Sequence, residues 1–381
     1  FENLIEMYFF QDNYNEVIAL HRVLNDLNLI SLRFPIVEYI AISYLNTKTA
    51  LLEIAKQISP VDQILETNTR PNGLEISKVT TPIGVIGVIF ESRPNVFCDA
   101  AALCLKSKNS SILKPGSDAL KTVLVLYDVL TVALSEMGMP KNCVQVLGSG
   151  SRDEVKQLVN LIDYVDVVIP RGGRGLVEFI KSEAKVPVFA HLEGIVHIYV
   201  HDKADLDIAK TVVQNSKSRR PGICGAVETL LIDKEFYNKH GNVLIDFLIT
   251  QGIEIRADKS LFNSKSIIGV SESDYGFEFL ENILAVKVVP DIDGAISHIR
   301  YFGSNHTDCI LTEDKSARDV FFKKLDSSIL LCNASTQFAD GGEFGFGAEI
   351  GISTNKLHAR GPIGAQHLVS FQYHVNGNGT L

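Results

Sequence analysis

Gly84-Val85-Ile86-Gly87-Val88-Ile89-Phe90 carries no polar side chain along its length, and an apolar run that short reads as a strand buried on both faces. A loop over Glu91–Asn95 follows, then a small-residue helix from Asp99 to Lys106. The alternation continues with a strand at Ser111–Lys114, a helix from Ala119 to Met137, a strand at Val144–Leu147, a helix over Val155–Leu161, a strand at Tyr164–Ile169 and a helix over Leu176–Glu183. Buried strands separated by helices make a parallel sheet, so the spacing predicts an α/β, doubly wound first half.

Past Val186 the pattern restarts. A strand at Val196–Val200 leads to a helix ending at Ser218, with Asp205 as candidate N-cap and Leu206, Ala209, Val212 and Val213 on its apolar face. Pro221 forbids its continuation. Val227–Ile232, Lys234–Thr250 and strands near Leu284–Val289, Cys309–Thr312 and Ile329–Asn333 complete a second α/β unit. Leu74–Val79 and Val369–Val375 alternate apolar and polar residues outside both units, and are expected to form a ribbon that joins copies of the chain into a homo-oligomer. Residues 1 to about 65 show helical periodicity and no chemical motif.

Bulk composition excludes several function classes. A chain of 381 residues at 46% hydrophobic and 21% charged is an ordinary globular composition, and its length calls for two or three subdomains. A net charge of −9 argues against a nucleic-acid surface, which needs clustered Lys and Arg. No apolar run approaches the 18 or so residues of a membrane span. The six cysteines include no C-x-x-C pair, the usage of reduced thiols in a cytoplasmic protein. The chain starts at Phe1 rather than methionine, so an upstream segment is expected.

One of those cysteines stands apart. Cys224, in Arg219-Arg220-Pro221-Gly222-Ile223-Cys224-Gly225-Ala226-Val227, falls on a loop between a helix that Pro221 ends and a strand. A thiolate is a strong nucleophile near neutral pH and a good leaving group from an acyl adduct. Lys217, Arg219 and Arg220 are expected to lower its pKa, and Gly222 and Gly225 to leave space for a substrate. Against this stands the inert buried thiol that most cysteines are. His197 and His201, four apart on a strand, sit about 13 Å from one another, so no metal site is expected.

Four stretches together exceed chance: GVIGVIFESRPNVFCD at Gly84–Asp99, IPRGGRG at Ile169–Gly175, CGAVETLL at Cys224–Leu231, and NASTQFADGGEFGFGAEIGISTNKLHARGPI at Asn333–Ile363. They closely resemble the gamma-glutamyl phosphate reductases, a family of the aldehyde dehydrogenase superfamily, from about Pro71 to the C terminus. The resemblance implies a Rossmann-like cofactor domain of residues 1–69 and 83–190, a catalytic domain of 191–364, and an oligomerisation ribbon of 70–82 and 365–381. It further implies NADPH-dependent reduction of L-glutamate 5-phosphate to L-glutamate 5-semialdehyde, in proline biosynthesis, with Cys224 carrying a thioester. A glutamate kinase is the partner whose labile product such an enzyme consumes.

The site residues follow position by position. The Cys224 backbone N–H and the Asn95 side chain are candidate oxyanion donors. Pro170-Arg171-Gly172-Gly173 follows a strand and opens a helix, where free N–H groups suit the cofactor pyrophosphate. Lys114 occupies the place of the superfamily's contact to the adenosine ribose or its 2′-phosphate, although Pro115-Gly116 departs from the family's usual glycine pair and leaves NADPH preference less secure than nicotinamide use. Glu278 matches the glutamate that binds the nicotinamide-side ribose. Arg93, Arg220, Asn333 and Arg360 are candidates to hold the substrate's charged groups, and the glycine-dense Gly341–Gly347 block is expected to close over a ligand. Hydrolytic aldehyde dehydrogenases activate water with a glutamate that here falls at His191, so the hydrolytic base is missing unless neighbouring Glu193 supplies it. Two alternatives stay open: an acylating reductase of another acyl group, and a non-catalytic binding protein.

Overall fold

The computed structural model describes residues 49–148, 151–262 and 265–381, so the helical reading of residues 1–48 lies outside the described residues. The chain divides into two compact units. The first comprises the residues up to Ala190 with Gly341–Ile352 and Pro362–Leu381, and the second comprises His191–Asp340 with Ser353–Gly361. Residues 341–352 and 362–364, which the sequence reading grouped with the catalytic domain, therefore belong to the first unit. Glu349 is the tie: it accepts the Gly341 N–H at 3.0 Å and pairs with Arg171 at 3.8 Å.

In the first unit, β1 (Ile64–Thr69), β2 (Glu75–Pro82) and a late strand form one antiparallel sheet, while β3 (Val85–Phe90), β4 (Ser110–Pro115), β5 (Val144–Val146) and β6 (Val167–Arg171) form a parallel one in the order β5-β4-β3-β6. Its helices are α1 (Asn95–Lys106), α2 (Ser117–Glu136), α3 (Arg152–Leu158) and α4 (Arg174–Glu183). α1 starts four residues before the sequence reading placed it, because Arg93 and Pro94 already accept the N–H groups of Val96 and Phe97. Its buried small residues Ala100, Ala101 and Ala102 let it lie close over the sheet.

The second unit carries seven parallel strands, β7 (Val196–Val200), β8 (Val227–Asp233), β9 (Glu254–Ala257), β10 (Ile268–Gly269), β11 (Ile283–Val289), β12 (Thr307–Leu311) and β13 (Ile329–Cys332), ordered β10-β9-β11-β8-β7-β12-β13. Strand alternation sorts their side chains onto two faces. Val196, Ile198 and Val200 pack with α5 (Leu206–Ser218) and α6 (Lys234–Thr250) through Val213, Phe236 and Leu248, whereas Tyr199, Leu231 and Ile310 pack with α7 (Ile292–Phe302) and α8 (Lys315–Lys324) through Ile299 and Phe321. Both faces are thus covered, as an all-parallel sheet requires. Each of these helices is capped by an aspartate, Asp205, Asp233, Asp291 or Asp314, accepting first-turn N–H groups.

The two alternating segments do pair: the last strand, β14 (Val369–Asn376), runs antiparallel to β2 from Val369 opposite Pro82 to Asn376 opposite Glu75. β1 completes this sheet and was not anticipated; all six of its residues are exposed, so it has no apolar face to reveal it. No helix among the described residues is long and apolar enough to cross a membrane.

Asn109 ties the ribbon to the parallel sheet. Its Oδ1 accepts the Gly84 N–H at 2.7 Å and its Nδ2 donates to the Leu368 carbonyl at 2.7 Å, with only 3% of the residue exposed. Asn109→Ala strips the partner from the buried Leu368 carbonyl and from the part-buried Gly84 N–H, and is expected to cost about 2–3 kcal/mol. Urea unfolding measures this; an unchanged midpoint contradicts the assignment.

Candidate active site

Cys224 sits at the first corner of a turn closed by the Ala226 N–H on the Ile223 carbonyl at 2.9 Å. Both flanks of that turn are fixed. Lys217, in the last turn of α5, reaches Glu228, at the start of β8, at 2.6 Å, and both side chains are fully buried. Burial pushes the Glu228 carboxyl up to about 7 against the pull of Lys217, and burial likewise pushes the Lys217 ammonium down against the pull of Glu228. The turn after β13 clamps the end of α5 from outside: Thr336 N–H donates to Ser216 Oγ at 3.0 Å and Gln337 Nε2 to the Ser216 carbonyl at 2.9 Å.

A second backbone segment, His191-Leu192-Glu193-Gly194, lies directly against the thiol-bearing residue. A Cβ on Gly194 would fall 2.0 Å from the Cys224 carbonyl oxygen, so only glycine fits there. The Gly194 N–H donates to Glu278 Oε1 at 2.8 Å. Burial raises the Glu278 carboxyl above its ordinary value, opposed by that hydrogen bond and reinforced by the negative charge of Cys224.

His191 arrives on this segment and His306 on the residue preceding β12. Their rings meet edge to face with centroids 5.1 Å apart, and one ligand-type atom each of His191, Cys224 and His306 lies within 4.8 Å of the others. Burial by itself disfavours the Cys224 thiolate, but the His306 charge, the close approach of both rings to the sulfur and the His191 charge outweigh it and hold the thiol well below its ordinary value. His306 is fully buried, with Nδ1 held by Thr307 Oγ1 at 2.9 Å. The partner of the nucleophile is therefore a pair of imidazoles. The sequence expectation that Lys217, Arg219 and Arg220 tune the thiol is corrected for Lys217, whose ammonium is consumed by Glu228. His306 was missed altogether; at 82 residues from Cys224, only the parallel order of β8, β7 and β12 brings it near.

The other expected residues divide. Asn333 and Arg360 are engaged elsewhere. Asn333 accepts the Thr312 N–H at 2.8 Å and donates to the Thr312 carbonyl at 2.9 Å, extending the β12–β13 pairing by one side chain, and Arg360 grips Asp326 at 3.1 Å. Both stay candidates for the substrate's charged groups, with these bonds as the partners the structure gives them. Arg220 keeps a half-exposed guanidinium beside the Cys224 turn, 3.9 Å from Asp340. Arg93 is exposed on the loop after β3. Exposed Asn95 opens α1, its side chain beside half-buried Asp99, whose carboxyl is raised to about 6 by desolvation against the pull of Arg171 and Asn95.

Lys114, at 3% exposure, spends one donor on the Pro115 carbonyl at 3.0 Å, and burial lowers its pKa against the pull of Glu154. Gly173 caps α4 after β6, and its N–H donates to the Glu91 carboxylate at 2.9 Å. A Cβ on Gly172 would fall 2.7 Å from the same carboxylate oxygen. The helix end chosen for a pyrophosphate thus already binds an anion. His197 and His201 serve separate partners, Asp308 at 3.1 Å and Thr312 at 2.8 Å.

Residues 43–257 match the model of the aldehyde dehydrogenase family. Gamma-glutamyl phosphate reductase of Bartonella quintana (strain Toulouse) is 52% identical over 331 residues, covering 86% of this chain and 80% of that protein. The crystal structure of gamma-glutamyl phosphate reductase from Thermotoga maritima superposes with a TM-score of 0.90 at 34% identity, over 100% of this chain and 92% of that one. An acetylating aldehyde dehydrogenase from Geobacillus thermoglucosidasius shares the fold at 17% identity, with a TM-score of 0.68 over 88% of this chain and 85% of that one.

The thiolate of a depressed-pKa cysteine persists above that pKa and disappears as pH falls through it. Alkylation of Cys224 by iodoacetamide is therefore expected to stay fast at neutral pH and to decline only well below the ordinary thiol range. His306→Gln removes one supporting charge and moves the midpoint upward. A wild-type midpoint near 8.5, the value of a free thiol, contradicts the imidazole assignment.

Proposed function

Because the chain belongs to the gamma-glutamyl phosphate reductase family of aldehyde dehydrogenases, we propose that it converts L-glutamate 5-phosphate to L-glutamate 5-semialdehyde with NADPH, through a thioester on Cys224, in proline biosynthesis. The observation that carries this reading is the depressed thiol between two imidazoles, with His191 where a hydrolytic enzyme of the superfamily places a glutamate.

Cys224 Sγ attacks the C5 carbonyl; the C–S bond forms, the C–O bond to phosphate breaks, and phosphate departs. His191 and His306 hold the thiolate beforehand and keep a proton at hand for the oxyanion or departing phosphate. The Cys224 N–H and Asn95 are the proposed oxyanion donors, each contributing about 3–4 kcal/mol to the transition state. The bound nicotinamide supplies one hydride to the acyl carbon. Collapse of the resulting hemithioacetal oxyanion expels Cys224 thiolate and releases the aldehyde, so that substrate, reduced cofactor and one proton become aldehyde, oxidised cofactor and phosphate. A thioester awaiting hydride is spoiled by water, and the position from which hydrolytic members of the superfamily activate water with a glutamate carries His191 here, not a carboxylate.

The first unit's residues fit a phosphorylated dinucleotide. Lys114 keeps ammonium donors beyond the one given to Pro115, suiting a ribose hydroxyl or 2′-phosphate, and the α4 N-terminus accepts an anion where Glu91 now lies. Glu278 is proposed for the nicotinamide-side ribose through the oxygen not bound to Gly194. Arg220 and Arg93 are the proposed substrate arginines, and a glutamate kinase supplies the labile acyl phosphate. The protein is placed in the cytoplasm.

Cys224→Ser is expected to lower glutamate kinase-coupled NADPH oxidation by at least about 1,000-fold, while nicotinamide fluorescence still reports binding. Phosphate-dependent oxidation of glutamate semialdehyde, absent with simple aldehydes, separates this reading from a reductase of another acyl group. Retained turnover in the serine variant overturns the thioester.

The antiparallel ribbon is proposed to join copies of the chain. Phe371, Tyr373 and Val375 lie on one face of β14 at 46%, 61% and 54% exposure, an apolar stripe that a second copy covers. Replacing all three with Ser is expected to lower the sedimentation coefficient to that of a monomer; an unchanged coefficient contradicts the ribbon's role.

A further inference from the structure

We infer that the Cys224 site is also a reversible zinc site, in which His191, Cys224 and His306 take one Zn²⁺ as three protein ligands and leave a fourth position open. The chemistry of the donor set points to this ion. Zinc prefers thiolate sulfur and imidazole nitrogen, is tetrahedral, and in open sites is held by three protein ligands. Here the three ligand atoms lie within 4.8 Å of one another, and tetrahedral coordination needs about 3.5 Å between them. About one ångström of closure is needed, a displacement that side-chain rotation of Cys224 and of partly exposed His191 supplies with the backbone left in place.

His306 supplies the second, independent observation. It is fully buried, its Nδ1 is taken by Thr307 Oγ1 at 2.9 Å, and its Nε2 is buried without a hydrogen-bond partner. Zinc takes the neutral form of this ring, with its proton on Nδ1 toward the threonine and the Nε2 lone pair on the metal, so the ion replaces the positive charge that the protonated ring otherwise sets beside the sulfur; a hydrogen-bonded far nitrogen is what fixes the tautomer of metal-bound histidines.

Binding forms one Zn–S and two Zn–N bonds and releases whatever proton the thiol still holds; nothing is oxidised or reduced. The thiolate lone pair that attacks the acyl phosphate is then committed to the metal. Zinc is thus a reversible inhibitor and a protecting group for the sulfur, displaced by a chelator.

The test uses the whole chain and reads the metal directly. Calorimetric titration with Zn²⁺ is expected to give one tight site, weakened about 100-fold or more by Cys224→Ser, His191→Ala or His306→Ala, whereas Cys143→Ser leaves it unchanged. Co²⁺ in place of zinc is expected to show a thiolate charge-transfer band with the strong visible bands of a tetrahedral ion, both lost in Cys224→Ser. Circular dichroism checks that each variant is folded; should His306→Ala unfold, the Cys224 and His191 variants decide alone. An affinity unmoved by Cys224→Ser, or cobalt spectra without the thiolate band, overturns the inference. Neither readout involves turnover, so loss of the zinc site leaves the acyl-transfer reading standing, and failure of that reading leaves the zinc result interpretable.

Discussion

The buried ion pair between Lys217 and Glu228 is the constraint on which the candidate site depends. It joins the last turn of a helix to the first turn-out of a strand, across the loop that carries the nucleophile, with both side chains removed from solvent. Such a pair contributes little net stability relative to a well-packed apolar alternative, yet losing one partner costs about 3–5 kcal/mol because the other is left charged and unpaired. Its value lies in geometry: the two ends of the Cys224 loop cannot drift apart without exposing or stranding a charge. Gly194 then brings a second backbone segment against the loop so closely that no side chain fits between them.

That close approach determines the electrostatics. A cysteine half-buried beside apolar residues is an inert thiol, because desolvation raises its pKa. Here desolvation is the largest single influence and still loses, since two imidazoles face the sulfur. Histidines differ from lysines or arginines in this role. An imidazole as a chemical group takes up and returns a proton near neutral pH, so in the proposed mechanism the groups that face the thiolate also serve the oxyanion or the leaving phosphate. A permanent cation would support the first task and not the second.

Much of the fold was legible because it rests on local physics. β7 and α6 fall where periodicity placed them, and Asp205 caps α5 as its side chain and position suggested. What stayed hidden was non-local. β1 has no buried face to produce an alternating pattern, and nothing in a one-dimensional reading joins Glu349 to Arg171. In the site, Cys224 announced itself through its proline- and glycine-flanked loop, but its tuning was first assigned to sequence-near cations. Sequence proximity misled there: Lys217 is seven residues away and faces Glu228, whereas His306 is remote in the chain and arrives just before β12, two strands over from β8 in the sheet. The signal for His191 was present as a departure from the superfamily's carboxylate, read as an absence although the imidazole has a role of its own.

The N-terminus of α4 shows the same limit in another form. A strand-to-helix turn built on Gly172 and Gly173 offers free N–H groups and the positive end of a helix dipole to any anion, and that logic is satisfied by a carboxylate from the chain itself, Glu91 on the loop after β3. A phosphate group carries more charge and more acceptor oxygens than a carboxylate, and the same helix end rewards it more. Glu91 is exposed and belongs to a loop, so turning it into water costs little. The turn is therefore preorganised around an internal anion, and the proposed phosphate amounts to the exchange of one anion for another at the same N–H groups.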